Sequence, residues 1–310
     1  MLEPIERPEE GLFLLPGGYL DPGGTLHRGV KLRPLTGREE EWIADPTREW
    51  TEAVLTTALL RRCIERIGPD RPTEAIIRSL SIGDRDYLML RLRQITFGKR
   101  VGMTLVCPRS ECAQKMDVDL DLDQIPIEAK PVLPHYALTL SEEAALSDGA
   151  GRLHRALLFR IPNGGDQEAA REWSTLDAPE RVVRLLARCL LKIGDTDPVT
   201  CDRVATLPEK GVEEITAAME RFSPQVRIEM EARCPECSHP FTHEFEIGPF
   251  FLGELLRGRT QLDREVHLLG FYYHWSLREI LGMTRQKRHR YLRLLTEELD
   301  RTGRSALEVG

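Results

Sequence analysis

Two close pairs of cysteines carry the strongest chemical signal in this sequence. Four residues separate Cys107 from Cys112, two residues separate Cys234 from Cys237, and a proline follows the first cysteine of each pair. Thiolates are soft ligands that Zn²⁺ prefers, and four of them in a tetrahedral arrangement form a structural zinc site. We therefore predict one structural zinc ion bound by all four cysteines. Because such a site has no open coordination position, it argues against catalysis by zinc.

Two other interpretations of these cysteines stay open at the level of sequence. A zinc site could use His239 or His243 in place of one thiolate. A thiol redox protein using Cys234 and Cys237 would lose its thiols reversibly under oxidant and bind no metal. The total of seven cysteines is odd, which argues against a closed set of disulfide bonds.

The segments on both sides of each cysteine pair have the residue pattern of β-strands. Apolar residues alternate with polar ones over residues 101–107 and 116–123, and again over 226–234 and 241–247. A period of two indicates a strand with one buried face, so each pair is expected at the tip of a hairpin. In both hairpins the first cysteine shares the parity of the buried residues, which directs its sulfur inward.

The order of helix, strand, cysteine turn and strand occurs twice along the chain. The leading cysteines, Cys107 and Cys234, are 127 residues apart, which predicts an internal duplication or a pseudo-symmetric pair. We predict an α+β fold of two related helix-plus-β-hairpin (zinc-knuckle) units with a C-terminal helical extension. The predicted boundaries are an N-terminal extended arm over residues 1–34, a first unit over 35–133, a second unit over 134–250 and a C-terminal helical adaptor over 251–310.

Composition and missing motifs exclude several classes of protein. The chain has 310 residues, a formal net charge of −7 and 41% hydrophobic residues, which suits one to three folded domains and not a dedicated nucleic-acid coat. No segment approaches the roughly 18 to 20 apolar residues of a membrane span, and the start lacks a signal peptide. We expect a cytoplasmic protein. The sequence has no P-loop, nucleophile elbow or HExxH motif, so we predict no enzymatic activity and no small-molecule substrate.

The last predicted helix carries a cluster of basic residues that could bind a partner. Arg285, Lys287, Arg288 and Arg290 follow one another closely, and Trp275 lies shortly before them. We interpret this cluster as a surface for docking another protein. The alternative is a zinc-ribbon nucleic-acid-binding protein that uses this helix as its contact, which the acidic total charge disfavours.

Several segments carry a resemblance to a known family. The segments of the first match are Leu35–Glu40, Ser81–Arg93, and Phe97-Gly98 followed by a Cys-Pro hairpin. They resemble the T-even phage baseplate hub and hub-assembly chaperone family, which also occurs in phage-like contractile injection systems. Residues 264–292 are similar to small accessory proteins of the same gene clusters.

The resemblance implies a structural function. It implies a non-enzymatic component or assembly chaperone of a contractile tail baseplate, with hub, spike, wedge or tube proteins as partners. It further implies incorporation into an assembled phage-like particle, and it supplies no catalytic residues.

Overall fold

The computed structural model describes residues 11–45, 50–147, 151–194, 199–226 and 229–302, and it has a mixed α/β fold that ends in a long helix. The helices are α1 (Gly37–Ile43), α2 (Glu52–Cys63), α3 (Glu74–Ser79), α4 (Ile82–Phe97), α5 (Gly164–Ala169), α6 (Ala178–Cys189), α7 (Cys201–Ala205), α8 (Glu209–Phe222), α9 (Ile247–Arg257), α10 (Arg259–Tyr273), α11 (Leu277–Leu281) and α12 (Arg285–Arg301). The strands are β1 (Leu12–Leu20), β2 (Leu26–Leu32), β3 (Ile64–Ile67), β4 (Arg100–Val106), β5 (Lys115–Asp121), β6 (Ile127–Glu128), β7 (Tyr136–Thr139), β8 (Leu146–Ser147), β9 (Leu153–His154), β10 (Ala156–Phe159), β11 (Leu190–Ile193), β12 (Gln225–Val226), β13 (Glu229–Arg233) and β14 (Pro240–Glu244).

Helix starts in this chain are set by local polar residues. The Glu39 carboxylate accepts hydrogen bonds from the backbone N–H and the hydroxyl of Thr36, which precedes α1. The same reciprocal arrangement of a cap residue and an acid three positions later begins α5 and α11. Such capping boxes satisfy backbone donors that have no partner inside the helix, so they fix where these helices begin.

The first hydrophobic core lies between an N-terminal antiparallel sheet, in the order β1-β2-β3, and helices α2 and α4. The segment that the sequence indicated as an extended arm contributes two strands of this sheet, and Leu15 and Val30 in these strands are fully buried. Helix α9 also belongs to this core through Phe251 and Leu255, although it lies far away in the sequence. Burial of these apolar side chains supplies most of the stability of such a core.

The second core repeats this architecture with later parts of the chain. An antiparallel sheet in the order β11-β10-β7 packs against α6 and α8, with Phe159 and Ile215 fully buried between them. The short β12–β6 pairing joins the two halves of the chain, with Val226 opposite Ile127, and both of these side chains pack against the first core. Each core therefore contains a three-stranded sheet covered by two long helices.

The two halves share individual contacts as well as element order. In each half an arginine after the middle strand binds the acid of a capping box, and a second arginine donates from Nε to a backbone carbonyl. These pairs are Arg33–Glu39 and Arg160–Asp166, and Arg28–Leu15 and Arg155–Leu140. Helices α2 and α6 both end at a cysteine that is followed directly by a strand and a glycine with positive φ, Gly68 or Gly194. The halves therefore correspond residue by residue over much of their length.

Candidate metal centre

Four cysteine sulfurs converge at the tips of two hairpins. Hairpin β4–β5 carries Cys107 and Cys112, hairpin β13–β14 carries Cys234 and Cys237, and all four Sγ atoms lie within 4.8 Å of one another. The Sγ atoms of Cys107 and Cys237 are 3.7 Å apart, and those of Cys112 and Cys234 are 3.6 Å apart. Both of these contacts join one hairpin to the other, as the sequence predicted.

Both hairpin tips have the same backbone geometry. The N–H of Cys107 donates to the carbonyl of Gln114, and the N–H of Cys234 donates to the carbonyl of His239. The residue after the second cysteine of each pair, Ala113 or Ser238, has positive φ. This left-handed residue turns the chain back toward the return strand and leaves both sulfurs on the inner side of the tip.

Backbone donors favour the thiolate form of one of the four cluster cysteines. The N–H groups of Cys237 and Glu236 point at the Cys234 sulfur and lower the pKa of Cys234 to about 7. Burial raises the pKa of Cys107, and against the opposing Gln114 backbone N–H, burial and the Cys234 sulfur raise the pKa of Cys112 to about 12. Burial also raises the pKa of the Cys63 and Cys189 thiols to about 12, so these two remain neutral small hydrophobes. Since the thiolate is the form that binds metal, binding of a metal ion at the hairpin tips would release protons from the other thiols.

The geometry of the cluster fits a tetrahedral ion with four sulfur ligands. A Zn–S bond of about 2.3 Å places tetrahedral sulfurs about 3.8 Å apart, close to the shortest separations found here. Among the described residues, this is the group of potential ligands that could hold a metal ion, and it contains neither His239 nor His243. Cys107 and Cys234 are buried, whereas Cys112 and Cys237 are half-buried at the outer side.

The basic cluster of α12 does not form one surface. Arg288 is fully buried, and its guanidinium donates to Glu265 from Nε at 2.7 Å and to Glu40 from Nη2 at 2.8 Å. The prediction that Arg288 binds a partner is therefore wrong, because this side chain joins α12 to α1 and α10 inside the protein. No local pattern in the sequence indicates this contact, since Glu40 is 248 residues away from Arg288.

The other predicted docking residues lie at or near the surface. Lys287 and Arg290 are exposed on α12, and Trp275 is half-buried with its ring stacked on Tyr273 at 4.6 Å. The half-buried Arg285 guanidinium lies 4.6 Å from the centre of the Phe97 ring. We name Lys287, Arg290 and Trp275 the α12 basic surface.

The comparison with protein families now identifies the chain. A family model described as T4 bacteriophage base plate protein matches residues 23–252, about three quarters of the chain and both cysteine hairpins. The chain belongs to this family. The predicted family resemblance is confirmed, and the match extends beyond the segments that first indicated it. No curated protein and no solved structure matches the sequence.

Family membership gives this baseplate protein a structural role connected with the baseplate of a phage tail, where it interacts with other tail proteins. The family match ends within α9, so the last three helices lie outside it. Within the described residues, the helices include none that is long and apolar enough to cross a membrane.

The helix before each cysteine hairpin belongs to the predicted repeat, but the correspondence of the three-stranded sheets and of α2 with α6 was not predicted from the sequence. A Leu-Leu-x-Arg-Cys pattern ends both α2 and α6, and a His-Arg pair precedes the middle strand in one half and lies at its start in the other. An alignment of the chain with itself would have found this signal. It would have extended the repeat from the cysteine hairpins and their preceding helices to the N-terminal part of each half.

Proposed function

We propose that this protein is a non-enzymatic component or assembly chaperone of the baseplate hub in a contractile phage tail-like injection system. In this role it binds other tail proteins, namely hub, spike, wedge or tube proteins, and one zinc ion holds its two halves in a fixed relation. The observation that carries the proposal is a baseplate family match that spans two hairpins whose four cysteines converge. A closed four-sulfur centre stabilises structure and offers no position for a substrate.

Zinc at this position would act as a clamp between the two halves. Hairpin β4–β5 belongs to the first half, where Val101 is part of the first core, and hairpin β13–β14 belongs to the second half. A metal that binds the folded protein and not the unfolded chain adds its binding free energy to stability. The clamp therefore keeps the relative orientation of the two halves constant during assembly.

Metal analysis of the purified full-length protein tests the zinc assignment. We expect one zinc per chain by mass spectrometry of the metal, and loss of that zinc in Cys107→Ser and Cys237→Ser variants. Cys201→Ser is the matched control because Cys201 is exposed and lies outside the cluster, so it should keep its zinc. A metal-free wild type with reversibly oxidised thiols would instead support the redox interpretation.

Docking on tail proteins is proposed to use the α12 basic surface. Lys287 lines one surface pocket together with Trp275 and another together with Arg290, an arrangement of cations and an aromatic ring that suits an acidic partner surface with an apolar centre. Long-range attraction between such surfaces accelerates association and weakens as salt screens it.

Affinity purification from the native host after cross-linking tests the baseplate role. Recovery of sheath, tube, spike or wedge proteins would support the proposal, and the number of copies in finished particles would separate a component from a chaperone. A Lys287→Glu/Arg290→Glu variant should recover less of these partners. Recovery of nucleic acid or ribosomes without tail proteins would refute the baseplate role and favour the zinc-ribbon alternative.

A further inference from the structure

Three adjoining surface cavities surround the N-terminal half of α12. Their volumes are about 690, 1090 and 660 Å³. The first two share Lys287 as a lining residue, and the last two share Gln286 and His289, so the three form one continuous depression. We name this depression the α12 channel.

Basic side chains from four helices line the α12 channel. In order along it they are Arg38 of α1, Arg278 of α11, Lys287, Arg290, Arg293 and Arg285 of α12, and Arg257 of α9. All seven are exposed except Arg285, which is half-buried. Since these helices lie far apart in the sequence, the channel is a feature of the folded protein and not of α12 alone.

The exposed cations of the channel are not neutralised within the part of the chain that the structure describes. There the six exposed side chains make no hydrogen bond and no ion pair. Arg285 lies 3.8 Å from Glu40, but Glu40 is bound more closely by Arg288, at 2.8 Å. Like charges held near one another repel, so this group of cations favours the binding of an anion.

The carboxylates that line the two ends of the channel are already engaged. Glu254 is bound by the guanidinium of Arg93, with 3.0 Å between Oε1 and Nη2. Glu279 accepts hydrogen bonds from the backbone N–H and the hydroxyl of Ser276, at 2.8 and 2.7 Å. The seven cations of the channel therefore carry a local positive charge in a protein whose net charge is −7.

The shape of the channel suits an extended chain. Lys287 and His289 lie about 160° apart around the exposed side of α12, with Arg290 and Arg293 between them. On a helix about 11 Å in diameter this arc is about 15 Å long. An extended polypeptide rises about 3.3 Å per residue, so about five residues span the distance between the two ends.

The single tryptophan of the channel offers little to a nucleic acid. The Trp275 ring is stacked on Tyr273 at 4.6 Å, and Tyr291 packs against it with 4.8 Å between ring centres. Proteins that bind single strands stack bases on free aromatic faces, and the contacts of Trp275 are already made inside the protein. Beyond the channel, the acidic remainder of the chain repels a long polyanion.

We infer that the α12 channel binds an extended acidic segment of another tail protein. One carboxylate of that segment occupies the cavity lined by Arg38 and Arg278, and a second, about five residues along, occupies the cavity lined by Arg257 and Arg285. Planar guanidinium groups bind carboxylates through two parallel hydrogen bonds, which makes these ends selective for acidic side chains. The inference rests on the proposed function for the source of the segment, and it adds both ends of the channel to the α12 basic surface.

Synthetic peptides test the channel on the purified full-length protein. One labelled peptide contains six Glu-Ser repeats, and its neutral counterpart contains six Gln-Ser repeats. By fluorescence anisotropy at low salt we expect the Glu-Ser peptide to bind at least about tenfold more tightly, and added salt should weaken its binding. A labelled oligothymidylate of twelve nucleotides is the third probe and should bind more weakly than the Glu-Ser peptide.

Paired substitutions test the two ends separately. Arg38→Gln/Arg278→Gln and Arg257→Gln/Arg285→Gln should each weaken binding of the Glu-Ser peptide about five- to tenfold, because each pair removes two charges from one cavity. Circular dichroism verifies that each variant is folded. Arg257→Gln alone replaces the second pair if that variant unfolds, since the exposed Arg257 makes no ion pair among the described residues.

A matched control separates the channel from a general effect of charge. Arg61→Gln/Arg264→Gln removes the same charge from two exposed positions that line none of the three cavities, and it should change the affinity less than about twofold. The inference is overturned if the Glu-Ser and Gln-Ser peptides bind equally, if the control acts like the channel variants, or if only one end contributes. Tighter binding of oligothymidylate would assign the channel to nucleic acid instead.

The peptide measurement and the affinity purification from the native host can fail independently. Selective binding of the Glu-Ser peptide without recovery of tail proteins would refute the baseplate role and leave the acidic ligand in place. Recovery of tail proteins without selective peptide binding would overturn the inference about the channel alone. If both hold, Arg38→Gln/Arg278→Gln should reduce the recovery of a tail protein that contains an acidic segment.

Discussion

Removal of the buried guanidinium of Arg288 provides the sharpest test of how the C-terminal helices are attached. Arg288 joins α12 to Glu40 on α1 and to Glu265 on α10, and its Nη1 donates to the carbonyl of Met283 at 3.0 Å. An Arg288→Met substitution keeps an unbranched side chain in the space and removes the charge. Two buried carboxylates then lose their main counter-charge.

The magnitude follows from what remains around the two carboxylates. Breaking a buried ion pair by removing one partner costs roughly 3–5 kcal/mol of unfolding free energy. His289 still lies 2.8 Å from Glu265, and Arg285 still lies 3.8 Å from Glu40, so part of the charge is compensated. We therefore expect a loss of about 3 kcal/mol, at the low end of that range.

The loss should depend on pH in a defined direction. Burial raises the pKa of Glu265, but the bonds from Arg288 and His289 outweigh it and hold this pKa below its ordinary value. The stability that the ion pair contributes is therefore present at neutral pH and is lost as pH falls through the lowered pKa. In the variant the Glu265 carboxylate lacks the Arg288 guanidinium and protonates at higher pH, so the difference from wild type should shrink between pH 7 and pH 5.

Urea unfolding and hydrogen exchange of the α12 amides measure this effect globally and locally. Arg290→Met, two residues away and exposed, is the control and should change stability by less than about 0.5 kcal/mol. An Arg288→Met loss below about 1 kcal/mol at pH 7, or a loss that stays constant from pH 7 to pH 5, would refute the proposed role of the buried pair.

Three further substitutions probe the junction between the halves and the first core. Gly83→Ala should lower stability by about 1–3 kcal/mol, measured by thermal unfolding, because the new Cβ overlaps the backbone carbonyl of Pro224. Asp84→Ala should lower the free energy of unfolding by about 2–4 kcal/mol, because the buried Asp84 carboxylate accepts hydrogen bonds from two backbone amides of β1 and from the Ser81 hydroxyl. A variant as stable as wild type would contradict this expectation. Burial raises the pKa of Asp86 to about 7, so the contribution of Asp86 to stability should fall as pH rises from about 4 to 7. Burial also raises the pKa of Asp84, to about 6, so Asp86→Asn should reduce the fall without abolishing it and should be more stable than wild type at pH 8 by on the order of 2 kcal/mol.

The cysteine hairpins could be predicted from sequence because their pattern is local. Strand geometry imposes a period of two, and the alternation over residues 101–107 and 116–123 became strands β4 and β5 with the cysteines at their tip. The second hairpin formed in the same way, although Ile228 in its predicted first strand lies outside the described residues. Convergence of the two tips also followed from chemistry, since four sulfur ligands suit one metal ion.

Contacts between distant segments were decided only by the tertiary structure. Arg288 and Arg290 are both basic residues in the same stretch of α12, and the sequence does not distinguish them. In the structure Arg288 is buried and Arg290 is exposed, because Glu40 of α1 and Glu265 of α10 contact the face of α12 that carries Arg288. The apolar sequence of α9 indicates a buried helix but does not say which core receives it. That choice depends on complementary shape and on the Arg93–Glu254 pair across 161 residues of sequence.

Sequence by itself therefore determined the alternating strands of the two hairpins and the candidate ligands at their tips, because each pattern depends on residues a few positions apart. The tertiary structure decided which equivalent surfaces are covered and which stay open. In the first half α9 fills the groove between two helices, and in the second half the same kind of groove is open. The two grooves differ because the burial of a side chain depends on which other segment packs against it, and the residues of the groove alone do not decide this.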